Sequence, residues 1–189
     1  GDYGINKARI EAYLLERVRE TGFPATIVHP GHIVGPGWVP LNPQGNFSLE
    51  VFVLLAKGEP LALPNFGAET LHHVHADDVA QVFECAMAHR SVSVGESFHA
   101  VSPAALSLRG YATAVAEYFK QPLQLDLLPW SQWQKKVSRE DADDSWEHLR
   151  RSHCCEITKA QKLIGYRPGY TSLTAIEQSL DWLVEQGQL

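Results

Sequence analysis

The stretch DYGINKARIEAYLLERVRETGFPATIVHPGHIVGPG, residues 2–37, decides the fold. It reads as a helix, a stop, a short apolar strand and a loop of glycine and proline. Over residues 4–20, Lys7, Ile10, Leu14 and Val18 fall near one helical face. Gly22 and Pro24 end that helix, and ATIVH at 25–29 follows as a strand. The loop from Pro30 to Asn46 begins with Gly31, Gly35 and Gly37, which let a backbone turn tightly and approach a ligand. Ligands of open α/β sheets lie beyond the carboxyl ends of strands, and this loop occupies such a place. It is not a dinucleotide phosphate fingerprint: Pro40 stands where a third glycine is needed, and no helix starts there.

Working outward, helix and strand patterns alternate. Phe47, Val51, Leu54 and Leu55 mark a helix over 47–57, stopped near Gly58 and Pro60. LHHVH at 71–75 reads as a strand leading into Asp77-Asp78, a helix N-cap pair. Behind it Val79, Val82, Phe83, Ala86 and Met87 repeat as one buried face. SFHAV at 97–101 is a strand, and Ser107 caps a helix carrying Leu108, Tyr111, Val115 and Phe119. QLDLL at 124–128 alternates like a half-exposed strand, and 131–153 reads as a polar surface helix. The last helix begins near Ser172, with Thr174 and Glu177 at capping-box spacing, and buries Ile176, Leu180, Leu183 and Val184. The alternation predicts an α/β architecture with the late segments forming a smaller cap. No internal boundary is visible, so residues 1–189 are read as one segment.

Composition narrows the classes of function. In 189 residues, 44% are hydrophobic and 20% charged, which suits a globular protein rather than a disordered tail. A net charge of -6 argues against a nucleic-acid partner. No apolar run approaches the roughly 20 residues that span a bilayer, and the first residues lack a signal peptide's apolar centre. Three cysteines, Cys85, Cys154 and Cys155, make no disulfide framework, so the expected compartment is the cytoplasm.

The chemistry starts with Tyr3 and Lys7. Residues four apart on a helix share a face, and an ammonium near a phenol favours phenolate, making Tyr3 a usable acid/base. His72, His73, His75, Asp77 and Asp78 do not read as a metal centre, because His73 and His75 face one side of a strand and His72 the other. His148, His153, Cys154 and Cys155 read as a helix end entering a loop. No Gly-x-Ser-x-Gly elbow and no phosphate-binding P-loop occurs.

The order DYGINKARIE, VHPGHIVGPG, HHVHADDVAQVFECAM, KAQKLIGYRPGYTSLTAIEQSLDWL resembles the second half of an extended short-chain dehydrogenase/reductase. More specifically it resembles the NAD-dependent epimerase/dehydratase family. The resemblance implies the C-terminal part of a Rossmann-like doubly wound sheet plus a small α/β substrate-binding lobe. It implies Tyr3 as catalytic acid/base and Lys7 as the residue that binds the nicotinamide ribose and activates Tyr3. Pro30, Gly31, His32 and Ile33 would face the nicotinamide carboxamide of NAD or NADP, with no metal. The substrate would be a small molecule, a nucleotide sugar or another alcohol or carbonyl compound. It also implies a homodimer through helices 4–20 and 47–57.

His29 replaces the arginine expected before Pro30, Val34 replaces a loop tyrosine, and Leu71 stands four residues before His75 where an arginine often contacts a sugar-nucleotide diphosphate. The family's Gly-rich phosphate loop is not within these residues. The expectation is therefore an incomplete, inactive portion of an enzyme. The alternative is a binding or regulatory module that keeps the fold without cofactor chemistry.

Overall fold

Helix α1 (Asp2–Thr21) runs from the tyrosine–lysine motif to Gly22 in the computed structural model, which describes residues 2–189. It buries no side chain. After it come β1 (Ile27–Pro30), β2 (His32–Val34), α2 (Glu50–Lys57) and β3 (Leu61–Leu63). A 3-10 turn (Pro64–Gly67) leads to β4 (Thr70–Leu71), β5 (His73–His75), α3 (Ala76–Ala88) and the single turn α4 (Arg90–Ser93). Next are β6 (Ser97–Ala100), β7 (Leu106–Ser107), α5 (Leu108–Tyr118), β8 (Leu125–Leu127) and α6 (Trp130–Trp133). The chain ends with α7 (Arg139–Leu149), α8 (Thr158–Ile164) and α9 (Ser172–Glu185).

The strands pair two by two. β1 runs parallel to β6, with Ile27 opposite Ser97 and Pro30 opposite Ala100. β2 runs parallel to β5 and β3 parallel to β8, whereas β4 and β7 are antiparallel. Among the described residues the ladders are separate pairs, each strand only two to four residues long. Parallel pairing with helical crossovers is nonetheless the α/β pattern expected from the sequence.

Two cores hold the ladders. One lies between α2, α5 and α9 and contains Phe52, Leu55, Tyr111, Val115, Ile176 and Leu180. The other lies between β6, α3 and α8, around Val82, Phe98, Ile164 and Tyr166.

Several expectations change in detail. The 47–57 helix starts at Glu50. The strand over 71–75 breaks at His72, because β4 pairs with β7 while β5 pairs with β2. α3 is capped by His75, whose Nδ1 accepts from the Asp77 N–H at 3.1 Å. Asp78 is buried instead, accepting from the N–H groups of Gly169 at 2.7 Å and Tyr170 at 3.1 Å. Phe83 and Met87 are exposed, because the face of α3 that meets the β6–α8 core carries Val79, Val82, Cys85 and Ala86. The 131–153 stretch is two helices, since Trp133 turns into the core, its indole N–H donating to the Ala62 carbonyl, and Ser138 recaps α7. The capping box of α9 is Thr171 with Thr174 rather than Thr174 with Glu177, and Val184 faces out. Ser107 caps α5 as expected, accepting from the Gly110 N–H.

Candidate active site

Tyr3 and Lys7 sit one turn apart on α1, with the Lys7 ammonium 5.3 Å from the centre of the Tyr3 ring. Both line a cleft of about 480 Å³ whose opposite wall is the whole of β1, Ile27 to Pro30. Pro30 therefore shares a cleft with the pair, at the carboxyl end of its strand. Gly31 and His32 line a neighbouring cleft of about 360 Å³, bounded also by His72, His99, His153 and Cys155. His29 and Pro30 form the wall common to both. Ile33 lines neither, being paired with Val74 inside the β2–β5 ladder. The structure thus brings Tyr3, Lys7 and Pro30 together and sets Gly31 and His32 on the far side of that wall.

Gly31 is required by a close approach. A Cβ at this position would lie 2.4 Å from the His72 carbonyl oxygen, a backbone atom that cannot step aside cheaply. Gly31→Ala is expected to cost about 1–3 kcal/mol by overpacking. The check is a lower urea midpoint with unchanged slope; an unchanged midpoint would mean the contact is not tight.

Three imidazoles that line the second cleft, His32, His72 and His153, are pushed toward their neutral form by burial. Burial pushes His32 down to about 4, with His148, His153 and His72 adding repulsion. His72 is also lowered, chiefly by burial; its Nε2–H donates to the Ser102 carbonyl at 2.9 Å and its Nδ1 accepts from the Cys155 N–H at 3.2 Å. His73 is fully buried behind them, its Nε2–H donating to the Leu41 carbonyl at 3.1 Å, and burial pushes it down to about 3. Among the described residues no three His, Cys, Asp or Glu side chains are arranged to hold a metal ion. No helix among them is long and apolar enough to cross a membrane.

Sequence reasoning missed His29, His99, Glu11 and the His72–Cys155 contact. For Glu11 a signal existed, since it continues the Tyr3–Lys7 face at the next turn. Leu71, at the position where an arginine was looked for, is fully buried.

The comparisons with known proteins bear on these residues. No curated protein matches the sequence. Among solved structures, gox2253 is 25% identical with a TM-score of 0.71, over 100% of this chain and 58% of that one. UDP-glucose 4-epimerase of Thermotoga maritima, solved with UDP-glucose, is 19% identical with a TM-score of 0.68, over 97% of this chain and 53% of that one. UDP-glucuronic acid 4-epimerase of Bacillus cereus, solved with UDP-glucuronic acid and NAD, is 15% identical with a TM-score of 0.69, over 97% and 52%. The chain spans about half the length of these solved relatives. The model of the NAD dependent epimerase/dehydratase family matches residues 1–100, the segment that carries Tyr3, Lys7 and the strand-end loop. The chain belongs to the NAD dependent epimerase/dehydratase family.

Proposed function

We propose that these 189 residues are the C-terminal portion of an NAD(P)-dependent epimerase, dehydratase or reductase, and that they supply its acid–base pair and substrate-facing lobe. The observation that carries this is the Tyr3–Lys7 pair, 5.3 Å apart and facing one cleft with the carboxyl end of β1. A cleft of about 480 Å³ lies within the usual range for small-molecule sites, and its donors fit the nicotinamide–ribose end of a dinucleotide. When bound, the nicotinamide supplies a hydride acceptor or donor.

The chain's own residues then move and hold the proton. The Tyr3 oxygen takes the proton of a substrate hydroxyl, or returns it to a carbonyl. Lys7 places positive charge beside that oxygen and offers its N–H donors to the ribose. Of the loop Pro30 to Ile33, Pro30 offers its backbone to the carboxamide in this cleft, whereas Gly31 and His32 lie across the wall from it. The substrate is a small alcohol or carbonyl compound; the names of two relatives bring nucleotide sugars into that class. A homodimer through α1 and α2 would cover Ile5 and Tyr13, which α1 leaves exposed.

Turnover in the whole protein, with and without the Tyr3 hydroxyl, tests this reading; retained activity in Tyr3→Phe would remove it. A second expectation concerns the 189-residue chain alone. Dinucleotide pyrophosphates are held by backbone N–H groups of a Gly-rich loop at a helix N-terminus, and that loop is not in this stretch. Calorimetry of this chain with NAD and with NADP is expected to show only weak binding, and a micromolar Kd for either would contradict it.

A further inference from the structure

The start of α1 is little covered by the rest of the molecule. Residues 2–10 are all exposed, and Glu11 is the first residue of the helix that its surroundings partly cover. The Glu11 carboxylate reaches both strands of the β1–β6 ladder. Its Oε1 accepts from the Ser97 hydroxyl at 2.6 Å and from the His29 Nε2–H at 3.2 Å. Ser97 opens β6, and His29 lies near the end of β1, in the wall between the two clefts. The Ser97 bond first, and His29 after it, hold the carboxyl below the ordinary carboxylate range, which keeps it charged at neutral pH.

Glu11 lies one turn beyond Lys7 and two beyond Tyr3, on the same face. A helix that buries no side chain has little packing to fix its rotation about its own axis. Two hydrogen bonds to one charged oxygen supply a directional tie where packing does not. His29 stands where the resemblance expects arginine, and here its short, rigid ring is the donor to Glu11.

We propose that Glu11 is a positioning residue: tied to Ser97 and His29, it sets the rotation and depth of the α1 face that carries Tyr3 and Lys7. The inference rests on the acid–base reading of that pair. Glu11 also lines the cleft, and the role assigned to it acts through the helix.

The test is a spin-label distance measurement on the 189-residue chain. Labels are placed at Ala8 on α1 and Glu84 on α3, both exposed, with the three native cysteines changed to serine. The unaltered Glu11 background is expected to give one narrow distance. Glu11→Ala is expected to broaden it about twofold while Tm moves by less than about 3 °C, since little packing is lost. Glu11→Gln, which keeps an acceptor oxygen for Ser97 and His29, is expected to recover most of the narrow distance. His29→Leu broadens it and His29→Arg, which restores a donor, does not. An unchanged width in Glu11→Ala overturns the proposal. So does broadening accompanied by a fall in Tm of more than about 10 °C, which would mean general unfolding rather than a turned helix. Tyr3→Phe leaves the distance unchanged, so the acid–base reading and the positioning role fail separately.

Discussion

Tyr3→Phe is expected to remove turnover in the whole protein and to leave the fold in place. The substitution deletes one hydroxyl from a side chain that is 76% exposed, so stability is expected to stay within about 0.5 kcal/mol. Its effect on chemistry is of another size. A positioned acid/base contributes about 10²- to 10⁴-fold, and the loss is expected in kcat with KM nearly unchanged. Lys7→Met is expected to act on both kcat and KM, because Lys7 is given two tasks, charge beside the phenol and a hold on the ribose. The measurement uses the whole protein with NAD and, as probes, UDP-glucose and UDP-glucuronic acid, the sugars bound in two solved relatives. Circular dichroism runs in parallel. A Tyr3→Phe variant within fivefold of the parent rate would take Tyr3 out of the mechanism.

Mild acid is expected to destabilise the chain steeply, well before its carboxylates titrate. His32 and His73 are pushed down from 6.5 to about 4 and about 3 in the folded chain. Unfolding returns both to ordinary values, so below about pH 6.5 the unfolded state binds protons that the folded state does not. Stability conferred by their neutral burial is therefore full above that pH and falls as the solution is acidified. Each contributes about 1.4 kcal/mol per pH unit once well below 6.5, and the pair removes about 5 kcal/mol by pH 4.5. That is comparable with the whole stability of many domains. Glu11 and Glu156 are shifted downward from 4.5, so their contribution to acid loss begins only near pH 4.5, about two pH units below the point where that of the histidines begins. Urea midpoints at pH 7.5, 6.5, 5.5 and 4.5 check the effect. His73→Phe is expected to be less stable at pH 7.5, having lost the bond to the Leu41 carbonyl, yet to show a shallower pH slope, with His32 and His72 still contributing. A slope equal to that of the parent would assign the acid sensitivity elsewhere.

What could be read in the sequence follows the range of the interactions involved. The caps of α5 and α9 depend on residues three apart, so Ser107 was legible and the α9 box was missed by only one turn. The Tyr3–Lys7 pair was legible for the same reason. Asp78 was not: its partners are Gly169 and Tyr170, about half the chain away, and the local pattern made it a helix cap. The break at His72 was also invisible, because an apolar and imidazole run does not say that its two ends belong to different ladders. The clefts were legible only in part. Pro30 to His32 were placed by their position after a strand, whereas His29, His99 and Cys155 reach the site through register and loop closure, which spacing along the chain does not encode.

The pairing scheme has a kinetic meaning as well. Each parallel ladder joins strands from distant parts of the chain: Ile27 meets Ser97, His32 meets His73, and Leu61 meets Leu125. Long loops must close before any of these strands finds its partner, and closure entropy is spent ahead of the contacts that recover it. Folding is therefore slow for a chain of this size, with helices such as α5 and α9 formed early and the cleft-bearing ladders last. These overlapping pairings interlock the ladders, so the strand walls of both clefts assemble and come apart together with the fold, while α1, which buries no side chain, is free to move apart from them.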